Sequence, residues 1–88
     1  MGAELNYRIV EANSSREAYD KAYQDAVEWS GNDPYNGDFN TCVEYYDAKA
    51  LKGLDTFKSW VEEFGEKRVA YTYPLDKGKY AIMAWCAC

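Results

Sequence analysis

YAIMAWCA, residues Tyr80 to Ala87, runs through eight positions without a charged side chain. Alternate residues of a strand face opposite sides of a sheet, so Tyr80, Ile82, Ala84 and Cys86 form one set and Ala81, Met83, Trp85 and Ala87 the other. Both sets are apolar. A strand of this kind is central in its sheet and covered on both faces. The rest of the chain must therefore supply its neighbours and its cover.

Immediately upstream, Val69, Tyr71 and Tyr73 alternate up to Pro74, and Asp76-Lys77-Gly78 supplies a turn, which predicts a terminal hairpin. Before the hairpin, Phe57, Trp60, Val61 and Phe64 fall at i, i+3, i+4 and i+7, the stripe of an amphipathic helix that Asp55 caps and Gly65 closes. Burying those four side chains is worth roughly 1.5–3 kcal/mol each, a large share of the stability of a small domain. Trp60 stands in the middle of that stripe, so its truncation is expected to cost about 3–5 kcal/mol.

The first half repeats the scheme. Leu5, Tyr7 and Ile9 alternate with Asn6 and Arg8 as in a half-buried strand. Ser14 and Glu17 form a capping box, and Ala18, Ala22 and Ala26 make a row that lets a helix lie close to a sheet, ending near Ser30 with Gly31 as its cap. Glu17 with Lys21, and Lys21 with Asp25, are charge pairs one turn apart on the wet face. In the following Gly31–Cys42 stretch, Asp33, Pro34, Asn36 and Gly37 read as turn formers, while Tyr35 is an aromatic residue at a turn tip with no structural duty in sight. Asp38 to Tyr46 reads as the next strand, with Phe39, Thr41, Val43 and Tyr45 on one side.

The order is thus β-α-β-α-β-β in one domain of 88 residues: an α+β two-layer sandwich with a four-stranded, mainly antiparallel sheet. Two helices either split across the sheet or share one face. The shared face is the expectation, which leaves the other face for a partner. Met83 and Trp85, the larger pair, are assigned to that open face, with Tyr rings beside it and Tyr35 at its rim; Trp85→Asp should then keep the fold and abolish dimerisation or target binding. The strand order is not legible.

Composition narrows function by exclusion. Fifteen acidic residues against ten basic ones give a net charge of −5, which disfavours binding to nucleic-acid phosphates. No apolar run is long enough for a membrane span. Three cysteines suit free thiols in a cytoplasmic setting, and the Cys86-Ala-Cys88 ending, although shaped like a prenylated tail, reads as the end of a strand. The chain has no histidine, which removes the usual base for an activated Ser or Cys and the commonest metal ligand. Cys42, Cys86 and Cys88 are one ligand short of a structural zinc site, and neither Glu62-Glu63 nor Asp33 with Asp38 has the spacing of an oxygen-ligand metal loop. The expectation is a non-enzymatic chain without cofactor or metal. Nine Tyr and three Trp point instead to contact surfaces.

The capped Ala-rich helix leads into Gly31-x-Asp-Pro-Tyr-Asn-Gly37, then into a strand with Thr41-Cys42, and the last strand ends Ala84-Trp-Cys-Ala87. Over Ile9 to Ala87 this resembles a scattered group of small proteins encoded by phages and prophages. Asp33–Gly37 and Trp85–Ala87 carry the likeness. The resemblance implies a bacterial host and a stoichiometric inhibitor of a host protein, of the anti-CRISPR or other anti-defence type. It also leaves room for a protein that sequesters a nucleotide signal. For a protein target the candidate contacts are Tyr35, Asn36, Tyr45, Tyr71, Met83 and Trp85, with a homodimer as another use of the same face. For a nucleotide, Tyr35, Tyr45, Tyr71 or Trp85 would stack on the base and the Gly31–Gly37 amides would meet phosphate.

Overall fold

The computed structural model describes residues 2–88. The elements are β1 (Ala3–Glu11), α1 (Ser15–Ser30), a one-turn 3-10 helix (Phe39–Thr41), β2 (Glu44–Asp47), α2 (Leu54–Phe64), β3 (Val69–Pro74) and β4 (Lys79–Ala87). They form an α+β fold in the order β-α-β-α-β-β, with four strands arranged β1-β4-β3-β2. β4 is central and antiparallel to both neighbours, pairing with β1 from Ala3↔Ala87 to Glu11↔Lys79 and with β3 from Ala70↔Ala84 to Pro74↔Tyr80. β2 runs parallel to β3 at the edge.

The two helices lie on opposite faces of this sheet, which corrects the two-layer arrangement. Ala22 and Ala26 of α1 pack on Ala70, Ile82, Ala84 and Cys86. Phe57 and Val61 of α2 pack on Val69, Tyr71, Ala81 and Met83. Those two groups are the two alternating sets of β3 and β4, so each apolar set has its own helix. Chain chirality explains the split. β1 to β2 and β2 to β3 are both crossovers between parallel strands, but the first traverses the whole sheet and the second turns back. Crossovers of one hand that run in opposite directions place their helices on opposite faces.

Local sequence signals built most of the elements. The Ser14 hydroxyl accepts the Glu17 amide at 3.1 Å, and the Glu17 carboxylate reaches back to the Asn13 amide at 3.2 Å. Ala18, Ala22 and Ala26 are fully buried. Lys21 pairs with Glu17 at 3.8 Å, but Asp25 pairs with Arg8 of β1 at 3.6 Å rather than with Lys21. α2 starts one residue before the predicted cap: Gly53, at φ 102°, is the N-cap, and Asp55 sits in the first turn.

The strand predicted over Asp38–Tyr46 is mostly not a strand. The Asp38 carboxylate accepts the Phe39 amide at 2.8 Å, and Thr41 Oγ1 donates to the Asp38 carbonyl at 2.7 Å, closing a 3-10 turn. Phe39, Asn40, Thr41 and Cys42 are all buried, which a strand with one wet face does not permit. Only Glu44–Asp47 pairs with the sheet.

Candidate binding edge

β2 is an edge strand of four residues, Glu44-Tyr45-Tyr46-Asp47, with one side paired to β3 and the other bare. The Ala48 amide donates to the Thr72 carbonyl, and the Tyr46 carbonyl accepts from Thr72 Oγ1. The even-numbered residues therefore turn their backbone groups toward β3. Parallel-ladder alternation leaves those of Tyr45 and Asp47 pointing outward.

Each face of this edge is flanked by aromatic rings. On the α1 side, Tyr45 stacks on Tyr19 with centroids 5.4 Å apart, and Tyr19 meets Tyr23 edge-on at 6.0 Å. A cleft of about 430 Å³ opens there between Arg16, Tyr19, Asp20, Val43, Glu44 and Tyr45. The Tyr19 hydroxyl donates to the Cys42 carbonyl at 3.1 Å, and burial, followed by the neighbouring Cys42, pushes its pKa up to about 12. On the α2 side, Tyr46 lies over Trp60 at 6.4 Å and edge-on to Tyr71 at 5.8 Å, and Trp60 meets Tyr71 at 5.3 Å. A second cleft, of about 420 Å³, is bounded by Glu44, Tyr46, Trp60, Glu66 and Tyr71. Tyr45 and Tyr46 remain 41% and 54% exposed despite this packing.

The other residues singled out from sequence are scattered. Tyr35 is 53% exposed in its loop, with the Arg68 guanidinium 5.9 Å from its ring centroid. Arg68 itself, at φ 70°, donates from its amide to the Trp85 carbonyl and from Nε to the Thr41 carbonyl, both at 2.8 Å. The Asn36 side chain is spent within the loop: its Nδ2 donates to the Ser30 and Gly31 carbonyls, and its Oδ1 accepts the Asp38 amide. Gly37 has φ 77° and donates to the Ala87 carbonyl at 2.7 Å, and a Cβ there would meet a Glu4 carboxylate oxygen at 2.6 Å. This loop is fastened to the end of β4 at a position whose positive φ favours glycine.

The open face assigned to Met83 and Trp85 is overturned. Met83 is buried beneath α2, and Trp85 is half-buried with its indole Nε1 donating to the Val61 carbonyl at 3.2 Å. Tyr71 is buried as well and forms the floor of the α2-side cleft. Of the six candidates, the structure joins only Tyr45 and Tyr71 to the β2 edge, on opposite faces. Tyr35, Tyr45, Tyr71 and Trp85 do not converge on one pocket, and the Tyr35 amide is occupied by Asp33 Oδ1 at 2.9 Å.

Sequence reasoning missed Glu44, Tyr46, Trp60 and Glu66. The Tyr45-Tyr46 pair was the available signal, because adjacent exposed rings on a strand mark both faces of an edge. It was masked by extending the strand back to Asp38, which made Tyr46 one more alternating residue.

Among the described residues, no three His, Cys, Asp or Glu side chains gather as a metal site, and no helix is long and apolar enough to cross a membrane. Cys42 and Cys86 are buried in the α1-side core and Cys88 is exposed. The Cys42 thiol is pushed up by its hydrogen bond to Cys86 and then by burial. No protein-family model, curated protein or solved structure matches the chain.

Proposed function

We propose that this protein is a non-catalytic, stoichiometric binder of another protein, and that it holds its target at the bare edge of β2. The observation that carries the reading is the combination of outward backbone groups at Tyr45 and Asp47 with an aromatic cleft on either face. Strand addition uses these two parts: main-chain hydrogen bonds supply affinity, and pockets for alternate side chains supply specificity. The other edge is β1. Its Glu4, Arg8 and Glu11 are the kind of charges that discourage edge pairing. Taken with the likeness of Asp33–Gly37 and Trp85–Ala87 to small phage proteins, the target is a cytoplasmic host protein, and binding inhibits it as anti-CRISPR and other anti-defence proteins do.

The test is capture from a bacterial host lysate by the wild-type chain beside two variants. Tyr45→Pro removes an outward amide, which an edge strand tolerates, together with one ring. Tyr35→Ala removes the exposed ring of the loop. Wild type and Tyr35→Ala should retain the same protein in stoichiometric amount, and a folded Tyr45→Pro should lose it. Retention by Tyr45→Pro with loss by Tyr35→Ala would move the contact to the Gly31–Gly37 loop.

A further inference from the structure

The occupant of the β2 edge can be specified further, on the reading that a protein is bound there. Glu44 and Tyr46, being even-numbered, present their side chains on the α2 side, where Tyr46 meets Trp60 and Tyr71. Glu66 closes the same cleft. No cation lines it. Among the described residues, neither Glu44 nor Glu66 has a salt-bridge partner within 4.0 Å. The α1-side cleft differs: apart from Glu44, which borders both clefts but whose register with Val69 turns its side chain to the α2 side, its lining holds one cation, Arg16, which faces Asp20 at 3.9 Å, and otherwise Val43, Tyr19 and Tyr45. One face of the edge thus combines two unpaired carboxylates with exposed ring faces, and the other is close to neutral and apolar.

We propose that the segment added to β2 is an extended stretch of a partner protein with Lys or Arg at every second position. Those cations would lie in the α2-side cleft between Glu44, Glu66 and the rings of Tyr46 and Trp60. Carboxylates and aromatic faces both attract them. The intervening residues, β-branched or small, would face Tyr45, Tyr19 and Val43 on the α1 side. The period of the charge follows from the period of a strand.

A second copy of this chain fits less well. Pairing β2 antiparallel with itself keeps the α2 sides of both copies on one face, so it sets two acidic clefts side by side and brings no cation into either. The net charge of −5 on each copy adds to that repulsion.

The experiment uses the full chain and three short acetylated peptides: Lys alternating with Val, Glu alternating with Val, and a copy of Val43–Ala48. Binding is read by titration calorimetry, and its place by NMR shifts of the Tyr45 and Asp47 amides. The Lys peptide should bind at least roughly tenfold more tightly than the other two at low salt, shift both amides, and lose much of its advantage at about 0.5 M salt. Glu44→Lys combined with Glu66→Lys should reverse the preference between the Lys and Glu peptides. Equal affinities, a preference for the Glu peptide or the β2 copy, or shifts confined to other residues would overturn the proposal. If the Lys peptide fails while Tyr45→Pro still abolishes capture of the host protein, the edge stands as the binding site and only the basic occupant is wrong. If Tyr45→Pro leaves capture intact, the edge itself is wrong.

Discussion

Trp85 and Val61 are joined across the sheet–helix boundary, the indole Nε1 donating to the Val61 carbonyl oxygen at 3.2 Å. The same oxygen accepts the Gly65 amide at 2.8 Å, where α2 ends. A Cβ at Gly65 would stand 2.5 Å from it, so the crowding around this carbonyl also requires glycine there. β4 and the last turn of α2 are held together at this point. A residue that looked like the centre of an exposed patch is a fastening between two layers.

Trp85→Asp should therefore unfold the protein. It sets a carboxylate against a carbonyl oxygen in place of a donor, at a cost of about 3–5 kcal/mol, comparable to the whole stability of a small domain. Trp85→Phe keeps most of the packing and gives up the hydrogen bond, at about 1 kcal/mol. Circular dichroism melts of the two variants decide the matter. A Trp85→Asp protein that melts like wild type would return Trp85 to an open surface.

The stripe of α2 divides more sharply than its periodicity indicated. Phe57 and Val61 are fully buried, Trp60 is half-buried above Tyr71, and Phe64 is 63% exposed. Phe57→Ala should cost about 3–5 kcal/mol because it empties a filled position stacked on Tyr73, 5.4 Å between centroids. Trp60→Ala removes a ring that solvent already reaches on one side, so about 2 kcal/mol is expected. Urea titrations of both variants give the ranking. If Trp60→Ala is the more costly, the α2-side cleft is core and not a binding surface.

How legible this was from sequence depends on the range of the signal. Caps, turns and the 3.6-residue stripe are local, and they placed both helices and the hairpin to within a residue or two. Apolarity on both faces of Tyr80–Ala87 correctly marked a central strand. Allocating the helices needed the strand order, because the direction of each crossover selects its face, and no residue of β1 or β2 encodes that order locally. The shared-face expectation failed for this reason, and it carried Met83 and Trp85 with it. Asp38 shows a second limit: the same Phe39-Asn-Thr41 run fits a strand by propensity, yet one carboxylate accepting its neighbour's amide turns it into a 3-10 helix.

The three thiols should separate cleanly by reactivity. Cys42 and Cys86 are buried against Ala22, Ala26 and Phe39, while Cys88 is exposed. Thiol reactivity needs both the thiolate and access, and Cys42 lacks both. A chromogenic disulfide reagent should modify one cysteine rapidly in the native protein and all three in denaturant. Cys88→Ser should abolish the fast phase. Fast reaction of Cys42 or Cys86 in the folded Cys88→Ser protein would mean that α1 does not seal its face of the sheet.

Tyr19 gives the binding edge an alkaline limit. Its phenol is held neutral by burial, and its pKa rises from 10.0 to about 12 in the folded chain. Above pH 10 the unfolded chain releases this proton while the folded chain keeps it. The folded state then binds more protons, and stability falls as pH rises toward 12. Below pH 10 the contribution is fully present. Tyr19→Phe removes the group, so its urea midpoint should fall less steeply than that of wild type between pH 10 and 12, with the other tyrosines acting equally on both. The variant also loses the hydrogen bond to the Cys42 carbonyl, but that loss shifts the curve at every pH below the window and leaves the difference in slope as the signature. Because Tyr19 stacks on Tyr45, ionising it should also loosen the α1 side of β2 and weaken capture of a target before the whole fold is lost. Parallel slopes for the two proteins would show that the Tyr19 hydroxyl titrates as it does in the unfolded chain and that the ring beneath Tyr45 is open to water.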